Sequence, residues 1–284
     1  MGQIIDGKMV AEHLRKGIAE EVNKLKRETG LVPGLAAVLV GDNPASQIYV
    51  RNKRKACEEV SIYSEEYKLP EETAESYLLT LIEKLNHDEK IHGILVQLPL
   101  PKQINEARIL RTVSPLKDID GFHPENVGLL VEGNPRFIPC TPHGVIKLLD
   151  YYGIEIQGKE AVVVGRSNIV GKPVSLLLLH RHATVTICHS RTKSLGEVTR
   201  RADILVAAIG RARLITEDMV KEGAVVIDVG INRLPDGKLA GDVDFENVCN
   251  KASFITPVPG GVGPMTIAML LWNTFSAAKN SKGF

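Results

Sequence analysis

One stretch constrains the fold more than any other: Ala161-Val-Val-Val-Gly-Arg-Ser-Asn-Ile-Val-Gly-Lys-Pro173. Four consecutive apolar residues, Ala161 to Val164, predict a strand buried on both faces, as in a parallel sheet. Gly165 ends that strand. Ile169 to Leu179 reads as a helix, with Pro173 tolerable only in its first turn or so. Strand, glycine turn and helix start make the geometry in which backbone N–H groups and the helix dipole hold a diphosphate. The spacing is G-x-x-x-x-x-G rather than G-x-G-x-x-G, so the motif taken alone fits a structural βα turn about as well.

Alternation of apolar runs with helical periodicity extends this reading along the chain. Val10, Leu14, Ile18, Val22 and Leu25 recur at helical spacing, and that helix ends near Gly30. Leu35 to Val40 is a strand closed by the turn cluster Gly41-Asp-Asn-Pro44. Helix Ser46–Val60, strand Tyr63–Tyr67, helix Glu71–Leu85 and strand Ile91–Leu98 follow. That β-α-β-α-β order predicts a parallel sheet with crossover helices. A loop-rich passage, Ser114 to Pro142, separates it from a second alternation. This has helix Pro142–Tyr151, strand Ala161–Val164, helix Ile169–Leu179, strand Thr184–Cys188, helix Leu195–Arg200 and strands Ile204–Ala208, Ala224–Val229 and Ser253–Ile255. Leu234-Pro-Asp-Gly-Lys238 reads as a hairpin turn, and Gly263–Ala278 as the closing helix with Pro264 at its first position. The expected domains are 1–141, completed by the C-terminal helix 264–284, and 142–263. The second is a Rossmann-like, doubly wound parallel sheet with its ligand at the carboxyl ends of the strands.

Composition limits the partners. A formal net charge of +1 over 284 residues argues against bulk binding of nucleic acid or a membrane surface. No run approaches the length of a membrane span, and the first residues carry Asp6, Glu12, Glu20 and Glu21 with no apolar signal core. Cys57, Cys140, Cys188 and Cys249 stand far apart, with no spacing for a metal, so a reducing compartment, the cytoplasm, is expected.

The nucleotide can be read from the end of the second strand of the later domain. NAD-binding folds place an acid there for the ribose 2′-hydroxyl. Here the residues are Cys188-His-Ser-Arg-Thr192. Ser190 can donate to a phosphate, and Arg191 and Arg166 can pair with one, so a 2′-phosphate and hence NADP is favoured. Either arginine alone could be a solvated loop charge.

Helix 46–60 holds an anomaly. At ~100° per residue, Lys53, Ala56, Cys57 and Val60 share a face with Tyr49, while Arg51, Arg54 and Lys55 fall opposite. A lysine on the apolar face either snorkels out or is partly desolvated and available as an acid or base; periodicity alone leans toward snorkelling. Gln97 is a polar residue ending the apolar strand Ile94-Leu-Val96, where a side chain lines a crevice or bonds loop backbone. Lys117-Asp-Ile-Asp-Gly121 offers two carboxylates or a plain Asp-Gly turn.

Together, Tyr49-Val-Arg-Asn-Lys53, Gly93-Ile-Leu-Val-Gln-Leu-Pro-Leu-Pro101, Lys117-Asp-Ile-Asp-Gly-Phe-His123, Pro139-Cys-Thr-Pro142, Gly165-Arg-Ser-Asn-Ile-Val-Gly-Lys-Pro173 and Pro257-Val-Pro-Gly-Gly-Val-Gly-Pro-Met-Thr266 resemble the full ordered motif set of one family. That family is the bifunctional methylenetetrahydrofolate dehydrogenase/methenyltetrahydrofolate cyclohydrolase. The resemblance spans nearly the whole chain. It implies two α/β domains with the active site in the cleft between them, a homodimer, NADP as cofactor and a role in one-carbon metabolism and purine biosynthesis. It implies that NADP oxidises 5,10-methylenetetrahydrofolate to the methenyl cation, which is then hydrolysed to 10-formyltetrahydrofolate. Lys53 would be the acid/base of hydrolysis, Tyr49 would stack on the aminobenzoyl group, Gln97 would hold Lys53 and Asp120 would bond the pterin. Val96 and Leu98 flank Gln97 at the folate, and Pro259, Gly260 and Gly261 would border it. Gly165, Arg166, Ser167, Ser190, Arg191 and Ile231 would contact NADP. No metal is implied. The residues alone also allow a dehydrogenase of another small substrate, or a non-catalytic NADP-sensing module that the misplaced Lys53 argues against.

Overall fold

A computed structural model describes residues 1–281, apart from the side chains of Pro44, Ala45 and Tyr49. The chain opens with β1 (Gln3–Ile4), α1 (Gly7–Thr29), β2 (Gly34–Val40), α2 (Pro44–Glu59), β3 (Tyr63–Leu69) and α3 (Glu75–His87). Next come β4 (Gly93–Val96), α4 (Glu106–Thr112), α5 (Pro124–Val131), α6 (Cys140–Tyr151), β5 (Glu160–Val164) and α7 (Gly171–His180). The remainder is β6 (Thr184–Cys188), α8 (Leu195–Thr199), β7 (Ile204–Ala207), β8 (Val225–Asp228), β9 (Asn232–Arg233), β10 (Leu239–Ala240), α9 (Phe245–Val248), β11 (Phe254–Ile255) and α10 (Val262–Asn280).

The chain divides into two compact units, one of Met1–Glu12 with Pro139–Thr266, the other of His13–Ile138 with the segment from Ile267 onward. In the latter, β2 is the centre of a three-stranded sheet in the order β3-β2-β4, parallel throughout. All seven residues of β2 are buried, as a central strand covered on both faces requires. One face packs Ala36, Val38 and Val40 against Leu78, Ile82 and Leu85 of α3 and Ile109 of α4.

The other unit is built on a six-stranded sheet in the order β1-β11-β8-β7-β5-β6, every pair parallel. Val162 and Val164 of β5, Leu205 and Ala207 of β7 and Val226 of β8 share one hydrophobic core. The hairpin at Leu234–Lys238 forms as expected, β9 pairing antiparallel with β10.

The structure amends several expectations. Residues 1–12, expected with the first domain, run with the six-stranded sheet, because β1 pairs with β11 in the register Gln3↔Phe254. A two-residue strand leaves no periodicity to read. The passage expected to be loop contains α5, signalled by Pro124 at its first position and capped by His123, whose Nδ1 accepts from the Glu125 N–H. Helix α4 went unread as well, although Asn105 caps it by accepting from the Arg108 N–H at 3.1 Å. Helix α3 starts at Glu75 rather than Glu71, since a turn closed by the Thr73 N–H on the Pro70 carbonyl precedes it. Helix α6 begins at Cys140, two residues before the expected Pro142.

Candidate active site and nucleotide site

Lys53 lies on α2, whose Val50, Ala56 and Cys57 are buried, as is Val60 just past its end, while Arg51, Arg54 and Lys55 are exposed. Between these faces Lys53 is half-buried, and its Nζ donates to Gln97 Oε1 at 3.0 Å. It is therefore not a lysine that merely snorkels away from an apolar face. Gln97 follows β4 and is fixed at both ends. Its main-chain N–H donates to the Val38 carbonyl, and its Nε2 donates to the Leu98 carbonyl at 2.8 Å. With Nε2 spent on backbone, the amide must turn its carbonyl oxygen toward the lysine. Burial pushes the Cys57 thiol, one turn further along α2, up to about 12, so it stays protonated and adds no charge next to Lys53. The Val96 side chain belongs to the core, so of Val96, Gln97 and Leu98 only the last two offer side chains to a ligand. The Tyr49 side chain lies outside the described residues.

Asp120 is half-buried in a turn that its neighbour Asp118 constructs. Asp118, 4% exposed, accepts from the Phe122 and His123 N–H groups at 3.2 and 2.8 Å and from Asn126 Nδ2 at 2.8 Å. Burial outweighs those donors and raises its carboxyl to about 6. Asn126, fully buried on α5, also donates to the Pro115 carbonyl. From α10, Asn273 Nδ2 donates to the Ile119 and Ile138 carbonyls at 2.7 and 2.9 Å. The residue pattern alone did not separate Asp118 from Asp120, which only the family resemblance singled out, and it missed Asn126 and Asn273. One signal was available: a polar residue within the apolar runs of α5 and α10.

In the other unit, Gly165 leaves β5 at φ +130°, a region that side chains rarely enter. A Cβ there would also overlap the Ala208 carbonyl, and one on Gly171 would overlap the Gly165 carbonyl. Strand end and helix start are thus in backbone contact. Helix α7 begins at Gly171, two residues later than expected, because Ser167 Oγ accepts from the Val170 and Gly171 N–H groups and holds the segment before it as a turn. Past β6, the His189 N–H donates to Thr192 Oγ1 and the Thr192 N–H to the His189 carbonyl, which leaves Ser190 and Arg191 exposed at the tip of a tight turn. Arg166 and Ser167 are exposed too. Among the described residues neither Arg166 nor Arg191 makes an ion pair, and no acid follows β6. A glycine cradle with unengaged guanidinium groups and a serine hydroxyl fits a dinucleotide carrying an extra phosphate. Ile231 is 45% exposed beyond β8. Pro259, Gly260 and Gly261 follow β11 in a turn closed by the Gly261 N–H on the Pro257 carbonyl, and the Lys8 N–H donates to the Gly260 carbonyl.

Two family profiles match the chain. The catalytic domain of tetrahydrofolate dehydrogenase/cyclohydrolase matches residues 5–120, and the NAD(P)-binding domain of the same family matches residues 139–282. The chain belongs to the tetrahydrofolate dehydrogenase/cyclohydrolase family. It is 63% identical over 277 residues to the bifunctional protein FolD of Moorella thermoacetica, covering 98% of this chain and 99% of that one. The structure of the bifunctional FolD dehydrogenase/cyclohydrolase from Campylobacter jejuni superposes with a TM-score of 0.97 at 54% identity, covering 99% of this chain and 100% of that one. The Trypanosoma brucei FolD, solved with NADP cofactor and an inhibitor, gives 0.95 at 41% identity, with 99% and 98% covered. In tetrahydrofolate dehydrogenase/cyclohydrolase terms, the Lys53–Gln97 pair falls within the matched catalytic domain, and the Gly165–Gly171 turn within the NAD(P)-binding domain. No helix among the described residues is long and apolar enough to cross a membrane.

Proposed function

We propose that this chain oxidises 5,10-methylenetetrahydrofolate with NADP and hydrolyses the resulting 5,10-methenyltetrahydrofolate to 10-formyltetrahydrofolate. The observation that carries the reading is the lysine amine held at 3.0 Å by a neutral amide oxygen. NADP, when bound, supplies the hydride acceptor. Gly165, Ser167 and the start of α7 hold its diphosphate, and Arg166, Ser190 and Arg191 take the 2′-phosphate, with Ile231 against the far half. The folate nitrogen's lone pair expels the hydride, so that step asks only for alignment.

Hydrolysis asks for a proton carrier. Neutral Lys53 accepts a proton from the water whose oxygen bonds to the methenyl carbon. It then gives that proton to the ring nitrogen N5 as the C–N5 bond breaks, which leaves the formyl group on N10. Gln97 orients the amine and, being uncharged, does not favour the ammonium form as a carboxylate would. The cationic methenyl group disfavours a second positive charge nearby. Leu98 flanks the aminobenzoyl ring and Asp120 bonds the pterin.

We further read the protein as a cytoplasmic homodimer that binds no nucleic acid. Four buried cysteines outside any disulfide, a net charge of +1 and the seven-residue β3, which among the described residues pairs on one side only, support this. Purified protein given NADP and methylenetetrahydrofolate should form NADPH and then consume methenyltetrahydrofolate added alone. Failure of either reaction would overturn the reading.

A further inference from the structure

Two carboxylates that the proposed chemistry does not use sit at the heart of the six-stranded unit. Asp228, 3% exposed at the end of β8, accepts at 2.9 Å from the Gly230, Asp242 and Val243 N–H groups. Asp242, fully buried after β10, accepts from the Ile209, Gly210 and Arg211 N–H groups at 2.5, 3.0 and 2.9 Å and from Asn232 Nδ2 at 2.9 Å. None of these donors carries a charge, so among the described residues the two acids are held on main-chain N–H groups and one side-chain amide instead of a cation. Burial, with Asp242 nearby, raises Asp228 to about 6. The loops close tightly on them: a Cβ on Gly230 would overlap the Asp242 carboxylate, and one on Gly241 the Asp228 carboxylate.

The position of these loops gives the pair its meaning. The diphosphate turn follows β5, and the candidate phosphate ligands Ser190 and Arg191 follow β6 on one side of it. A dinucleotide spread over the carboxyl ends of the strands must lay its other half over β7 and β8. The loops leaving those strands are 208–211 and 229–232, the second carrying Ile231. Asp242 takes N–H groups from the first and the Asn232 amide from the second, while Asp228 ties the second to the chain after β10.

We propose that Asp228 and Asp242 are positioning residues for the nicotinamide half of the cofactor, fixing loops 208–211 and 229–232 at one separation. This rests on the NADP reading above, and wild-type binding tests that reading separately. The test is titration calorimetry with NADP and, in parallel, with adenosine 2′,5′-bisphosphate, which lacks the nicotinamide half. Asp242→Asn turns an acceptor facing three N–H groups partly into a donor. It should weaken NADP by about tenfold or more while changing the bisphosphate by less than about twofold. Asn232→Ala, which removes one donor and leaves both acids, should show the same selective loss at about threefold, and it serves if Asp242→Asn does not fold. Equal loss for both ligands, or no loss for either, in the variant that folds would overturn the positioning role. A wild-type chain that binds neither ligand would overturn the NADP reading and this inference with it.

Discussion

Gln97 decides how Lys53 can act, because its Nε2 is spent on the Leu98 carbonyl and only Oε1 faces the amine. Gln97→Glu replaces a neutral acceptor with a charged one at the same distance. The ammonium form is then favoured and the base is lost near neutral pH. The limb of the hydrolysis pH profile that reports lysine deprotonation should move up; an unshifted profile would show that the two residues are not coupled. Arg166 belongs at this scale too. Arg166→Ala should cost about 1.5–3 kcal/mol of NADP affinity, roughly 10- to 150-fold, and leave NAD nearly unaffected. Parallel titrations with the two cofactors give the answer, and equal losses would remove Arg166 from the 2′-phosphate. Both residues were legible in the sequence for a physical reason: each is a polar side chain breaking a strong apolar pattern or ending a strand. Asp118 was not, since an Asp that shapes a loop and an Asp that meets a ligand look alike until their donors are known.

Helix α6 carries a titratable group that nothing in the sequence flagged. His143 Nδ1 is buried with no hydrogen-bond partner among the described residues, and burial, with Lys147 adding to it, lowers the imidazole to about 4. The unfolded imidazole titrates near 6.5. A neutral ring is therefore favoured by the fold, and its contribution is present above pH ~6.5 and lost as pH falls toward 4. Roughly 3 kcal/mol is at stake across that window. The melting temperature of wild type should fall more steeply than that of His143→Leu as pH drops from 7 to 4.5; parallel curves would contradict the assignment. Long periodic elements such as α1 and β2 were readable because burial on one or both faces writes itself into residue spacing. Helices α4 and α5 were not, because at seven and eight residues they are too short to establish a period. Their caps, Asn105 and His123-Pro124, were the only signal, and His is an uncommon cap.

At the scale of the molecule, two chemistries share one chain, and the fold separates what each needs. In the proposed mechanism the six-stranded unit supplies a glycine turn and guanidinium groups that make no ion pair among the described residues, while the three-stranded unit supplies one amine on a fixed amide. The pairing of β1 with β11 was beyond the sequence reading because a parallel pair of two-residue strands 251 residues apart has no local signature. Division of labour makes the proposed mechanism testable in one experiment. Lys53→Met keeps a side chain of similar length but can neither accept nor donate a proton, so hydrolysis should stop while part of the hydride transfer survives. NADPH and methenyltetrahydrofolate, followed together by absorbance after methylenetetrahydrofolate is added, report both steps at once. The account predicts that in Lys53→Met the methenyl compound accumulates in step with NADPH. A variant that hydrolyses it at the wild-type rate would contradict the account, and the proton carrier would then have to be another residue.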